Sequence, residues 1–273
     1  MASPNIYSGG YGGSTGAVLA TSAAPIYQSG NTWYVDSVTG SDAASPRGRD
    51  RARPLATLAQ ALTNASANDT IVFFSGHTQT FTAITTIATA GLKLLGEGSG
   101  SSRPQFIRNV NDELFDITAA GVRLENLYFP ASILTSALGK VRTAGANTKI
   151  VNCYFESGAL DTGPAVQLVT GGDSCEIRDT TIISTATAVS AQPESAITIT
   201  NAVSDLTLDT VVISGGSTGW SNPFAVVGTG AVTRLYAESL DLLLDSDVTL
   251  ATGTTGIVNP RNRSGSARIV WAA

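Results

Sequence analysis

The sequence predicts an all-β fold, a right-handed parallel β-helix whose coils of about 26 to 31 residues stack their apolar positions into one long core. Three observations carry that prediction. Short apolar segments recur at near-constant spacing, the text between them is rich in Gly, Asn, Ser and Asp, and no period holds an amphipathic helix of ten or more residues. Strands that repeat without helices exclude leucine-rich and α-helical solenoids and leave a β-solenoid.

Composition agrees with this class. The 273 residues are 42% hydrophobic and only 14% charged, and Gly, Ser, Thr, Ala, Val and Ile dominate, a palette of strands and turns. A formal net charge of -5 excludes an electrostatic footprint for DNA or for an anionic membrane, so neither nucleic acid nor membrane is expected as a partner. No apolar run reaches the length of a membrane span. Cys153 and Cys175 are too few for a disulfide framework and lie in strand-like text, which predicts buried free thiols. The stretch GAVLATSAAP at 16–25 imitates the apolar part of a signal peptide, but the first basic residue is Arg47 and no classical secretion signal is expected.

Taken in order, residues 1–31 form a Gly, Ser and Ala rich arm with Tyr7, Tyr11 and Tyr27 and no periodic apolar face. Such an arm is either a disordered tail or a segment that orders against a neighbouring subunit, and the spaced tyrosines favour the second. From Thr32 the text changes: TWYVDS alternates as a strand, and a turn-rich stretch leads to Arg47, Arg49, Arg51 and Arg53, interrupted by Asp50. These arginines are a solvated loop or a patch for carboxylates on a partner protein. PLATLAQAL follows, where Pro54 can open a short amphipathic helix near 54–63 that places Leu55, Leu58, Ala59 and Leu62 on one face. That helix stands where an amino-terminal cap belongs, because the open end of a stack of strands must be covered. TIVFF, from Thr70, is a buried strand.

The coils themselves are read from aligned copies. VRLENLYF at 122–129 matches TKIVNCYF at 148–155, CEIRDTTI at 175–182, LTLDTVVI at 206–213 and, more loosely, TRLYAESL at 233–240; a weaker copy, LKLLGEGS, begins at Leu92. Each full copy has an aliphatic third residue (Leu124, Ile150, Ile177, Leu208, Leu235) and a large apolar eighth (Phe129, Phe155, Ile182, Ile213, Leu240). Equivalent positions stack into ladders about 4.8 Å apart, which is why aliphatic matches aliphatic across copies. The fifth position reads Asn126, Asn152, Asp179, Thr210 and Ala237, and the seventh begins Tyr128, Tyr154, placing two tyrosines on adjacent rungs of an outward face. Further apolar stretches at 115–117, 166–169, 197–199 and 226–227 supply another strand per coil. The helix is expected to span 32–256, leaving 257–273 as a carboxy-terminal tail.

WYVDSVTGSD at 33–42, PLATLAQAL at 54–62, NDTIVFFSG at 68–76 and LKLLGEGSGSSRP at 92–104, followed by the copies, resemble the pectate-lyase-like right-handed parallel β-helix superfamily over residues 32–250. That superfamily includes polysaccharide lyases, glycoside hydrolases, bacteriophage tailspikes and virion structural proteins, so the resemblance marks the fold and leaves function to the site.

The search for chemistry starts from His77, the only histidine. Without a positioned partner it reads as a surface or turn residue, and neither triad nor zinc chemistry has the residues it needs. Asp241, Asp245 and Asp247 are a solvated turn or a calcium site, with no EF-hand loop around them. LLGEGSG lacks the Lys and helix of a phosphate loop and reads as a coil corner. Outward second positions (Arg123, Lys149, Glu176, Thr207, Arg234) and fourth positions (Glu125, Val151, Arg178, Asp209, Tyr236) hold no adjacent carboxylates, where glycoside hydrolysis needs two about 5 to 9.5 Å apart. Lys149 and Glu176 are expected to pair. No catalysis, cofactor or metal is therefore expected, with Asp42, Asp205 and Asp209 the residues to test first.

The Tyr128 and Tyr154 rungs fit sugar binding, a subunit interface or simple cross-rung packing. What the resemblance implies is a bacteriophage virion protein assembled in the host cytoplasm. The leading expectation is a homotrimeric capsid decoration or cement protein on the major capsid protein, with Tyr7, Tyr11, Tyr27, Arg47, Arg49, Arg51, Tyr128 and Tyr154 as contacts. The alternative is a tailspike or receptor-binding protein that binds or cleaves host surface polysaccharide.

Overall fold

A computed structural model describes residues 30–43, 47–133, 135, 138–186, 195–215, 220, 224–226, 232–243, 248–250, 256–261 and 269–271. Tyr7, Tyr11 and Tyr27 lie outside the described residues, as do Asp245 and Asp247.

The chain forms the parallel β-helix that the repeat predicts, with three ladders of strands. The first ladder runs through Thr32–Val35, Thr70–Phe73, Lys93–Gly96, Arg123–Glu125, Lys149–Val151, Glu176–Arg178, Val203–Asp209 and the start of Val232–Leu243. The second stacks Thr78–Phe81, Gln105–Arg108, Tyr128–Phe129, Tyr154–Ser157, Thr181–Ser184, Val212–Ser214 and the end of Val232–Leu243, which joins the two. The third stacks Thr85–Ile87, Phe115–Ile117, Val141–Thr143, Val166–Leu168, Ile197–Ile199 and Phe224–Val226. Each described pairing within these ladders is parallel, as coils that advance in one direction require. The pairing continues to Gly256–Arg261, a strand that joins Val232–Leu243.

Inward residues form the core. Leu124, Ile150, Ile177 and Leu208 are in register and buried, and Phe129, Phe155, Ile182 and Ile213 repeat this on the second ladder. Phe129 and Phe155 stack with ring centroids 4.6 Å apart and planes 6° from parallel, while the pairs Phe73–Phe106, Phe106–Phe115 and Phe115–Phe129 meet edge to face. Cys153 and Cys175 are buried free thiols, pushed up to about 12 and about 11 by burial.

The last copy is corrected. Leu206 pairs with Leu235, Leu208 with Ala237 and Ile213 with Leu242, so the third and eighth positions of this coil are Ala237 and Leu242 rather than Leu235 and Leu240. A slip of two residues preserves the in-and-out alternation of a strand, so apolar matching cannot detect it. In the same register Val212 pairs with Asp241 and Asp209 with Glu238.

The fifth position explains itself as a corner. Asn126, Asn152, Asp179 and Thr210 have φ of 57°, 51°, 50° and 54°, the left-handed conformation that turns the first ladder into the second. Asn and Asp tolerate this region far better than other non-glycine residues, and Thr210 is the strained exception. The Asn152 amide donates to Asn126 Oδ1 at 3.2 Å, and the Asn126 amide donates to the carbonyls of Gly96 and Gly98, both at 2.8 Å. Gly96 is obligatory in the glycine-rich corner: a Cβ there would sit 2.3 Å from the Asn126 carbonyl oxygen.

The capping helix is Leu58–Asn64, shorter than expected, and Pro54 does not open it. Leu55 instead bridges Val35, and Asp42 sets the start: Oδ1 accepts from Ala56 N at 2.7 Å and Oδ2 from the Thr57 hydroxyl at 2.6 Å. Thr57 is the N-cap, its side chain accepting from Gln60 N, while Leu58 and Ala61 are buried in the core cluster that includes Val35 of the first strand.

Candidate functional site

Tyr128 and Tyr154 stand in register on the second ladder, with ring centroids 5.3 Å apart and planes at 74°. With Gly100, Ser101 and Arg103 they line a cleft of about 280 Å³ on the outer face. Each wall follows from a local rule. The tyrosines face outward because Phe129 and Phe155, one residue on, face the core. Gly100 and Ser101 belong to the turn Gly100–Ser102 that ends the glycine-rich corner. Arg103 is held there by the corner ladder itself, donating from Nη2 to Asn152 Oδ1 at 2.8 Å.

The Tyr128 hydroxyl donates to Glu156 Oε2 at 2.5 Å. Partial burial and that carboxylate push the Tyr128 phenol above its ordinary range, and burial with Glu156 raises Tyr154 in the same direction. Both phenols are therefore neutral hydrogen-bonding groups at physiological pH. The cleft offers two aromatic rings, a guanidinium and hydroxyls, with a carboxylate bound to one phenol. That set can stack on the apolar face of a sugar and hydrogen-bond its hydroxyls.

The other expected contact residues lie elsewhere. Arg49 sits over the Trp33 ring at 5.0 Å and donates to Asn31 Oδ1 at 2.6 Å. Arg51 makes a two-pronged pair with Glu97, both contacts 2.5 Å, and lies 4.5 Å from the Phe74 ring centroid. These side chains bind the amino-terminal loop to the first coils, and Arg47 is half-buried in the same loop. Lys149 pairs with Glu176 at 2.6 Å as expected, and Arg178 links Glu176 at 2.6 Å to Asp209 at 3.2 Å. Asp42 serves the helix cap, and Asp205 is paired with Arg234 at 2.5 Å.

His77 is corrected: it is fully buried, not a surface residue. Nδ1 accepts from Ser37 N at 3.0 Å and the ring packs 5.1 Å from Phe73. Burial pushes its pKa down to about 4 despite the Asp36 carboxylate nearby, so the ring is neutral. A turn sequence hides this, because burial here comes from packing between coils and not from local polarity.

Two carboxyl features escaped the ladder reading. Glu156 lies two residues beyond Tyr154, outside the compared positions. Asp112 and Glu113 share a hydrogen bond in the loop before Phe115; burial and this partner raise Glu113, while the same bond lowers Asp112. Among the described residues, no three or more His, Cys, Asp or Glu side chains are grouped to hold a metal ion.

No protein-family model matches the chain, and no curated protein matches it. Two solved structures are similar to it. One is a rhamnogalacturonan lyase, 14% identical with a TM-score of 0.44, matched over 88% of this chain and 62% of that one. The other is the crystal structure of pectate lyase Pel9A, 9% identical with a TM-score of 0.46, matched over 89% and 78%. The chain thus spans 62% of the length of the rhamnogalacturonan lyase. The expectation of a non-enzymatic chain is corrected here. The two solved structures it is similar to are both named as lyases, and the register of the last coil sets Asp209 beside Glu238 on adjacent rungs, where the aligned fourth positions had placed no two carboxylates.

Proposed function

We propose that this chain binds polysaccharide along the outer face of its β-helix, with the Tyr128–Tyr154–Arg103 cleft as the sugar site. The observation that carries the reading is the pair of half-buried tyrosines on adjacent rungs, walled by Arg103 and the Gly100–Ser101 turn. Neighbouring rungs about 4.8 Å apart bring the two rings to the same cleft, their centroids 5.3 Å apart. In the setting implied by the resemblance, this is a bacteriophage receptor-binding or tailspike-like protein that engages host surface polysaccharide. The capsid decoration reading ranks second, because Arg49 and Arg51, two of the contacts expected for it, are engaged within the chain by Asn31 and Trp33 and by Glu97 and Phe74.

The test is calorimetric titration with oligogalacturonate, an acidic probe that Arg103 can pair with, and with dextran as a neutral one, following oligosaccharide release in the same mixtures. Saturable binding to either that is lost in both Tyr128→Ala and Tyr154→Ala supports the site. Wild-type protein that binds neither, or alanine variants that bind as the wild type does, overturns it.

A further inference from the structure

Beneath the corner where the second ladder turns toward the third lies a cluster of charges that the sequence does not announce. Arg108, Lys140 and Asp161 are each at most 1% exposed, and Ser132 is 6% exposed. Other ion pairs among the described residues are open to solvent on at least one side. Asp161 Oδ1 accepts from Arg108 Nη2 at 2.5 Å and from Lys140 Nζ at 2.7 Å, and it also contacts the Ser132 hydroxyl. Its Oδ2 accepts from the backbone N–H groups of Ser132 and Gly158, both at 3.0 Å. Arg108 Nε donates to Ser132 Oγ at 2.7 Å and Nη1 to the Leu138 carbonyl at 2.5 Å. Lys140 Nζ reaches Ser132 Oγ and the Pro130 carbonyl, each at 3.1 Å.

Burial pushes the Lys140 ammonium down to about 8 and lowers Arg108, with Asp161 opposing both. Burial alone would raise the Asp161 carboxyl, and the Lys140 and Arg108 cations bring it below its ordinary range. Such a cluster is costly to desolvate and is held only because every polar atom finds a partner.

Its anchor points coincide with the strands that carry the sugar site. Arg108 ends Gln105–Arg108, which begins two residues after Arg103; Pro130 and Ser132 follow Tyr128–Phe129; Gly158 and Asp161 follow Tyr154–Ser157. The cleft uses the beginnings of these three rungs and the cluster clamps their ends. Backbone pairing is thin at this point, since Gln105–Arg108 and Tyr128–Phe129 are in register at the single pair Gln105↔Tyr128.

We propose that the Arg108–Lys140–Asp161–Ser132 cluster is a positioning clamp that sets the spacing of the Arg103, Tyr128 and Tyr154 rungs and so shapes the cleft. The proposal rests on the glycan-binding reading for its use, and on geometry alone for the clamp.

The experiment compares wild type with Lys140→Met, which leaves the Arg108–Asp161 pair, and with Asp161→Asn, reading amide exchange by residue and oligogalacturonate and dextran binding. In folded Lys140→Met, amides at Tyr128 and Tyr154 should exchange on the order of tenfold faster while Ile150 on the first ladder is unchanged. The tyrosine ring resonances should shift, and binding should weaken roughly tenfold, with Lys140→Arg restoring part of both. Unchanged exchange at the two tyrosines in Lys140→Met overturns the clamp, and so does a uniform rise across both ladders, which marks a general stabilising element. Should Asp161→Asn fail to fold, Lys140→Met and Ser132→Ala decide the question. Wild-type protein that binds neither probe overturns the glycan reading, and the exchange pattern then judges the clamp alone.

Discussion

The two corners that flank the second ladder solve one problem by different means. Where the first ladder turns into the second, the solution is backbone conformation: a left-handed Asn or Asp at the same place in successive coils, bonded to the coil beside it. Where the second ladder gives way to the third, the connections are of unequal length, such as 82–84, 109–114 and 158–165. The solution there is side-chain chemistry gathered from Arg108, Ser132, Lys140 and Asp161. A repeated backbone geometry leaves a repeated residue. A cluster assembled once leaves only scattered charged residues that look like solvated loop.

The largest expected effect breaks the core that both corners serve. Ile177 is 2% exposed and in register with Ile150 and Leu208, so Ile177→Asp places an unpaired charge inside the stack and should abolish the folded state. Circular dichroism and thermal melting check this; a cooperative melt at the wild-type temperature would show the inward register to be wrong.

Next comes the irregular corner. Asp161→Asn leaves two buried cations without their counter-ion and should cost about 3–5 kcal/mol in denaturant unfolding. A loss below about 1 kcal/mol would mean that water reaches the cluster and that the contrast between the corners is false.

A pH effect of about 3 kcal/mol is expected from His77, whose folded pKa of about 4 lies below its ordinary 6.5. The unfolded chain binds the extra proton first, so this stability is present above pH 6.5, falls as pH drops toward 4, and is level below that. Stability measured across this window in wild type and His77→Phe should differ in slope. Parallel curves would show that the ring is hydrated in the folded protein.

The regular corner should be gentler. Asn152→Ala removes the side-chain bonds to Asn126 and Arg103 and puts a less tolerant residue at φ 51°, a loss of about 1–3 kcal/mol spread over two causes. Asn152→Gly keeps the backbone freedom and should recover part of it, which separates strain from hydrogen bonding. The smallest effect is Lys149→Ala: its pair with Glu176 is partly exposed, and the change in stability should stay under about 1 kcal/mol.

Legibility in the sequence follows the same divide. The aliphatic third position, the aromatic or aliphatic eighth and the outward Tyr128 and Tyr154 could be read because each repeats at a period of one coil. The Lys149–Glu176 pair could be read because neighbouring copies align. The last coil could not, since a two-residue slip leaves every side chain on its own face. Glu156, Arg103 and the Asp112–Glu113 pair were missed because they fall outside the repeated octet.

By itself, then, the sequence determined the stacking of coils, the inward face of the first two ladders and the rungs on which the tyrosines stand. A periodic pattern of burial needs only one coil to be understood for the others to follow. Tertiary structure alone decided that Arg103 joins those tyrosines through Asn152, that His77 is buried and that Asp161 gathers two cations from residues 53 and 21 positions away. The partners in each case come from different coils and from loops of unequal length. Their meeting depends on how far each loop travels before the next rung begins, which no local spacing encodes.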